Sequence, residues 1–308
     1  MISDAVIEAL KGFVRSENIH IQESMAAHTT FRVGGPADCL VELENTEQLQ
    51  KVQRYLKQVE IPFVVLGNGS NVLVSDEGYR GVVLQIGRCM SRIMVEGNCI
   101  IAQAGALMSQ VARTAMEHGL TGMEFASGIP GTVGGGVVMN AGAYGGEMSQ
   151  VVTKVTVVDV HGEILELSNE TMEFGYRYST IRNHSFVVTE VSFELTRGDR
   201  EVIRKTMDEL AEKRREKQPL EYASAGSTFK RPEGHFAGAL IMDAGLRGFQ
   251  IGGARVSDKH CGFVINTGHA TAADVVTLIC EIRARVKDKF QVDLEPEVVF
   301  LGKFPSLR

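Results

Sequence analysis

Between Gly128 and Gly146 the chain reads GIPGTVGGGVVMNAGAYGG, nineteen residues of which eight are glycine and none is charged. Glycine loses more backbone freedom on folding than any other residue, so a run this dense answers to a backbone that needs positive φ or very close approach to another group. Three readings are open: a loop lying against a phosphate or flat ring, a tight strand-turn-strand packed in a core, and a flexible linker. A linker would be polar, whereas Ile129, Val133, Val137, Val138 and Met139 are interleaved here as residues to be buried. The uncharged run reaches back to Phe125, yet its glycines, Pro130 and Asn140 deprive it of the hydrophobicity of a bilayer helix.

A chain of 308 residues exceeds the usual size of one core, so two or three domains are expected. With 44% hydrophobic and 23% charged residues it has the composition of a globular protein, and a net charge of -6 gives no reason to expect a nucleic acid or a membrane surface as partner. An anionic ligand therefore needs a local site. Five scattered cysteines, Cys39, Cys89, Cys99, Cys261 and Cys280, make neither a disulfide framework nor a zinc pattern, and no metal site is expected. Asp4, Glu8, Lys11 and Arg15 interrupt the first twenty residues, which have no signal-peptide core, so a cytoplasmic location is expected.

In chain order, Val6, Ile7, Leu10 and Val14 mark a short amphipathic helix, and residues 38–43 a strand. Asn45 or Thr46 caps a helix carrying Leu49, Val52, Leu56 and Val59, which Pro62 ends. The runs 63–66 and 81–86 are apolar strands, so residues 38–86 read as a small β-α-β unit. Between those strands lies Gly67-Asn68-Gly69-Ser70-Asn71, whose main-chain N–H groups could form an anion nest. It has neither the Gly-Lys-Ser/Thr of a P-loop nor the third glycine of a dinucleotide fingerprint, so an ATPase and an ordinary Rossmann domain are not supported. Short strands at 93–96 and 99–103 surround a helix with Met108, Val111, Ala115 and Met116; after the glycine-rich stretch, 151–160 and 186–195 read as half-buried antiparallel strands. A charged helix over 199–217 turns Ile203, Met207 and Leu210 inward and opens a third unit, closed by a helix over 271–290.

Six segments in this order resemble one family over essentially the whole chain: 67–73 (GNGSNVL), 128–135 (GIPGTVGG), 140–145 (NAGAYG), 174–179 (FGYRYS), 225–230 (AGSTFK) and 294–298 (LEPEV). The chain is similar to the UDP-N-acetylenolpyruvoylglucosamine reductases. That resemblance implies an α+β chain with the vanillyl-alcohol-oxidase-like (PCMH-type) FAD-binding fold: FAD-binding subdomains at 1–87 and 88–198, and a substrate-binding domain at 199–308. It implies non-covalent FAD whose pyrophosphate lies against Gly67, Asn68, Gly69, Ser70 and Asn71 and against Ile129, Pro130, Gly131, Thr132, Gly134 and Gly135. Main-chain dipoles rather than lysines would then meet the cofactor's charge, which suits an acidic protein.

The family reaction reduces the enolpyruvyl ether of UDP-N-acetylglucosamine enolpyruvate to the lactyl ether of UDP-N-acetylmuramate, a peptidoglycan precursor. NADPH passes hydride to flavin N5, and N5 then passes it to substrate C3. Charge flows through C2 into the carboxylate, which asks for a guanidinium, a hydrogen-bonding acid and a proton donor for C2. By motif match the resemblance assigns these roles to Arg177, Glu297 and Ser227. It also points to Lys217, Arg231 and Arg247 as substrate contacts, to a monomer, and to a subclass without an inserted substrate-capping loop. Tyr178, Arg231 and Val299 depart from the residues some members carry, so substrate contacts there do not transfer directly. Two alternatives remain: another FAD enzyme of this fold, such as an oxidase, and a sugar-nucleotide binder without activity. An oxidase often tethers its flavin to His or Cys, which neither glycine loop contains, and a binder has no need of Arg177, Ser227 and Glu297 together.

Overall fold

The computed structural model describes residues 2–304. They divide into two compact units, the first built from the chain up to Ile21, Cys39–Asn68 and Gly81–Lys213, the second from Gln22–Asp38, Gly69–Arg80 and the chain from Arg214 onward. This differs from three consecutive segments cut near 87 and 198. In the first unit a single hydrophobic cluster takes Leu49, Val52, Leu56, Val82 and Leu84 from one side of residue 87 and Ile100, Val111, Val155, Val191 and Phe193 from the other. Residues that share one core belong to one unit.

The first unit holds a five-stranded antiparallel sheet in the order Ile164–Ser168, Val152–Val158, Val187–Glu194, Cys99–Gln103, Ile93–Glu96. Its middle strand, Val187–Glu194, is buried on both faces rather than half-buried, with Ser192 at 8% exposure, because it has strand neighbours on both sides and the helix Val133–Val138 against it. Helix Thr46–Gln58 starts where expected: the Asn45 side chain accepts from the Gln48 N–H at 2.9 Å. Strand Phe63–Leu66 runs parallel to Tyr79–Ile86, with Leu66 opposite Gln85, and delivers the chain directly to Gly67.

The second unit has its own cluster, including Phe31, Val33, Leu73, Leu240, Val264, Leu278, Ile282 and Val298. Its antiparallel sheet orders Ala223–Ser224, Val264–Asn266, Ala254–Val256 and Gln250–Ile251. Helix Ala272–Phe290 is closed at its start by a reciprocal cap: Thr271 Oγ1 accepts from Asp274 N at 3.0 Å, and Asp274 Oδ2 accepts from Thr271 N at 3.0 Å. The early segment Gln22–Asp38 joins this unit through long-range bonds, Thr30 Oγ1 to the Ser224 oxygen at 2.7 Å and Asn266 Nδ2 to the Phe31 oxygen at 3.1 Å. A parallel pair, Val72–Val74 with Val299–Leu301, ties in the other early segment. No described helix is long and apolar enough to cross a membrane.

Candidate active site

In the first unit the glycine-rich stretch resolves into a 3-10 turn (Glu124–Gly128), a short helix (Val133–Val138) and a hairpin pairing Gly142–Ala143 with Gly146–Glu147. Three consecutive glycines make a poor helix. Neighbours compensate: Val133 and Gly134 donate their N–H groups to the Ala106 and Ala104 oxygens at 2.8 and 2.9 Å, and Thr132 Oγ1 accepts from Gly135 N at 3.4 Å. Several glycines answer to packing, because a Cβ on Gly136 would stand 2.6 Å from the Met108 sulfur and one on Gly146 2.6 Å from the Phe125 ring. The hairpin turns through Tyr144 and Gly145, both at positive φ (54° and 90°), the signature of a type I′ turn. Gly135 is different. The nearest atom to its Cβ position, Thr132 Oγ1, is 3.6 Å away, so the protein itself does not require glycine there.

The Asn68 side chain donates to the Pro130 oxygen at 2.5 Å, and a Cβ on Gly67 would overlap the Thr132 hydroxyl, so the two glycine loops meet within this unit. Among the described residues the main-chain N–H groups of Asn68, Gly131 and Thr132 donate to no main-chain acceptor. Ile129 is the exception among its neighbours, since its N–H is taken by the Ala126 oxygen at 3.1 Å.

Beyond the hairpin, Phe174–Ser179 closes a tight turn in which Gly175 and Tyr178 exchange main-chain bonds of 3.0 and 3.2 Å. Arg177 stands in this turn at φ 56°, with its guanidinium carbon 5.0 Å from the Tyr176 ring centre. The turn is bolted to the glycine-rich segment: Ser179 Oγ donates to the Val138 oxygen at 3.1 Å, and Asn140 Nδ2 donates to the Gly175 oxygen at 3.1 Å. Asn140, buried and at φ 41°, also donates to Glu147 Oε1 and accepts from Ser149 N. The NAGAYG match thus has a structural role that supports the Arg177 turn.

In the second unit Gly69, Ser70 and Asn71 likewise offer main-chain N–H groups with no main-chain acceptor among the described residues. Gly69 is glycine for the fold's own reasons, with φ 58° and its Cβ position overlapping the His28 oxygen. Ser227 is half-buried, follows Gly226 at φ 75°, and its hydroxyl makes no hydrogen bond to a described residue. The structure sets Glu297 opposite the next residue, Thr228: Glu297 N donates to the Thr228 oxygen at 2.8 Å, Lys230 N to the Glu295 oxygen at 2.8 Å, and Phe229 bridges Pro296. On its other flank Glu297 is gripped by Asn71, whose side-chain amide reaches the Glu297 oxygen at 3.1 Å and whose own oxygen accepts from Val299 N at 2.9 Å. Ser227 and Glu297 thus come together in one unit, and Arg177 belongs to the other.

Of the expected substrate contacts, Lys217, Arg231 and Arg247 are all exposed. The Arg231 guanidinium carbon sits 4.1 Å from the Phe236 ring centre, and Arg247 Nη2 lies 3.1 Å from the Met242 sulfur. A buried cation was missed. Arg214 is only 9% exposed; it continues the inward series Ile203, Met207, Leu210 at helical spacing, and that register was the signal for it. His260 was missed as well. Its Nδ1 accepts from Gly262 N at 3.1 Å, the Gly262 oxygen in turn holds Thr228 N at 2.8 Å, and burial holds the imidazole pKa below its usual value.

Unclaimed main-chain donors on loops that carry no carboxylate suit an anionic cofactor diphosphate. No group of three His, Cys, Asp or Glu side chains among the described residues could hold a metal ion. A family model described as an FAD binding domain matches residues 37–168, and one described as the C-terminal domain of UDP-N-acetylenolpyruvoylglucosamine reductase matches residues 218–301. The UDP-N-acetylenolpyruvoylglucosamine reductase of Caldanaerobacter subterraneus subsp. tengcongensis is 51% identical over 302 residues, covering 98% of this chain and 100% of that one. The chain belongs to the UDP-N-acetylenolpyruvoylglucosamine reductase family. The reductase of Clostridioides difficile strain 630 is 49% identical over 294 residues, with 96% of this chain and 97% of the relative covered. The crystal structure of the Thermus caldophilus reductase superposes with a TM-score of 0.80 at 35% identity, covering 92% of this chain and 100% of that one. As a member of this reductase family with a matched FAD binding domain, the chain is an FAD-dependent oxidoreductase with the α+β flavin-binding fold expected from its motifs.

Proposed function

We propose that this chain reduces UDP-N-acetylglucosamine enolpyruvate to UDP-N-acetylmuramate for peptidoglycan synthesis, as a cytoplasmic monomer of the subclass without a capping loop, using NADPH. The observation that carries the reading is the 2.8 Å bond from Glu297 N to the Thr228 oxygen, which seats an acidic residue beside the residue that follows Ser227, a serine whose hydroxyl is uncommitted among the described residues. A bound flavin would supply the hydride chemistry, relaying hydride from NADPH to C3 of the enolpyruvyl group. The main-chain N–H groups of Asn68, Gly131 and Thr132 in the first unit, and of Gly69, Ser70 and Asn71 in the second, would hold the diphosphate of a bound cofactor.

The chain's own residues handle the charge and the proton. Hydride at C3 drives an electron pair through C2 into the substrate carboxylate. Arg177 presents a planar, permanently charged fork to that dianion, and Glu297 hydrogen-bonds the same oxygens in its protonated form. Ser227 Oγ–H then protonates C2, the serine oxygen being left to regain a proton from solvent. Lys217, Arg231 and Arg247 contribute positive charge toward the nucleotide diphosphate.

Anaerobic reduction of the bound flavin by NADPH, followed by the enolpyruvyl substrate, tests the reading. Bleaching at the flavin band followed by its return on substrate addition is expected. A flavin that NADPH reduces and that only oxygen reoxidises would point to an oxidase of the same fold.

A further inference from the structure

Asn71 closes the GNGSN loop that the cofactor reading treats as a phosphate cradle. Its side chain, however, is turned elsewhere within its unit. The amide nitrogen donates to the Glu297 oxygen at 3.1 Å, while the Asn71 oxygen accepts from Val299 N at 2.9 Å. One residue therefore grips positions 297 and 299 from the same side, and the parallel ladder begins immediately after it, with Val72 opposite Val299 and Leu73 opposite Phe300. On the far side Thr228 takes the Glu297 N–H at 2.8 Å. Both main-chain polar groups of Glu297 are thus engaged, one by Thr228, the residue after Ser227, and one by Asn71.

Alternation along the segment does the rest. Leu294 and Val298 are buried at 1% and 4% exposure, with Val298 anchored in the second cluster, and Glu297 must point the other way. Carboxylate placement to within about half an ångström is what transition-state stabilisation demands. A main chain pinned on one flank only would let the peptide plane tilt and swing the side chain.

We propose that Asn71 is a positioning residue for Glu297: its main-chain N–H remains available to the cofactor diphosphate, and its side chain holds the acid in register for the step at the substrate carboxylate. The proposal rests on the role given to Glu297 above. Four holoproteins test it, the parent, Asn71→Ala, Glu297→Gln and the double variant, each followed by rapid mixing through NADPH reduction and then substrate-driven reoxidation. Asn71→Ala is expected to hold FAD and to be reduced at the parental rate, with reoxidation slower by at least about tenfold. Combined with Glu297→Gln it should add no further slowing, because a residue that acts through Glu297 has nothing left to position. The same slowing in both backgrounds, or equal slowing of both half-reactions, would overturn the proposal. Asn71→Asp guards against loss of the loop, since it keeps size and shape while its carboxylate cannot donate to the Glu297 oxygen. It should match Asn71→Ala, and parental reoxidation in it would also overturn the proposal. A fully active Glu297→Gln would remove the acid's role itself, a failure read from that variant alone.

Discussion

Asn140 donates its side-chain amide to the main-chain oxygen of Gly175 at 3.1 Å, and so fastens the end of the glycine-rich segment to the turn on which Arg177 stands. Its other two bonds, to Glu147 Oε1 and from Ser149 N, fix the following hairpin to the same point. Asn140→Ala leaves the Gly175 oxygen and the Ser149 N–H without this partner, at a position only 2% exposed. A loss of about 3 kcal/mol in denaturant unfolding is expected. An unchanged midpoint would show that the bonds are incidental.

The two glycine loops should respond differently to the same substitution. Gly69→Val places a branched side chain at φ 58° and against the His28 oxygen, so it should lower stability by at least about 3 kcal/mol whether or not flavin is present. Gly135 has no such neighbour, and Gly135→Val should fold and emerge colourless, because the valine occupies space the cofactor needs. Full flavin occupancy in a folded Gly135→Val would remove that residue from the cofactor site.

Arg177→Lys keeps the charge but not the fork. Two hydrogen bonds in one plane become a single mobile ammonium, so kcat is expected to fall by about 100-fold, beyond any rise in KM. Steady-state kinetics decide it: an effect confined to KM would make Arg177 a binding residue only.

His260 links pH to the Ser227 segment. Burial lowers its pKa from the usual 6.5 or so, so the unfolded chain takes up the proton first as pH falls. Stability contributed by neutral His260 is therefore complete above about pH 6.5 and is lost as pH drops through that value toward the lower folded-state pKa. Protonation also ends the acceptance of Gly262 N by Nδ1. Unfolding midpoints for the parent should decline across that window more steeply than those for His260→Gln. Parallel profiles would exclude the link.

How much of this was legible depended on range. Helix Thr46–Gln58 and strand Phe63–Leu66 have the bounds or cap the sequence suggested, because an Asn cap, a 3.6-residue apolar series and a β-branched run act locally. The helix Val133–Val138 was not legible: its glycines argue against it, and what holds it, the Ala104 and Ala106 oxygens, lies some thirty residues away. Strand Ile164–Ser168 was missed because it is a short edge strand, mostly exposed, with only Leu167 packed against the core. Residues 22–38 and 69–80 carry no sign that they fold with the C-terminal part, since the bonds that place them are long-range. For the candidate site, Ser227, Glu297 and Arg177 were put forward by motif match. Asn71's grip on Glu297 was hidden, because the motif advertised the loop's main chain and said nothing about where one side chain points.

Ser227 is the proposed proton donor to substrate C2, and the two half-reactions separate that role from every other. Reduction of flavin by NADPH requires no proton at C2, whereas completion of substrate reduction does. Ser227→Ala, mixed rapidly with NADPH and then with the enolpyruvyl substrate, should bind FAD and bleach at the parental rate. It should then recover its flavin absorbance at least about 100-fold more slowly, the scale of a lost general acid. Recovery at the parental rate would contradict the account.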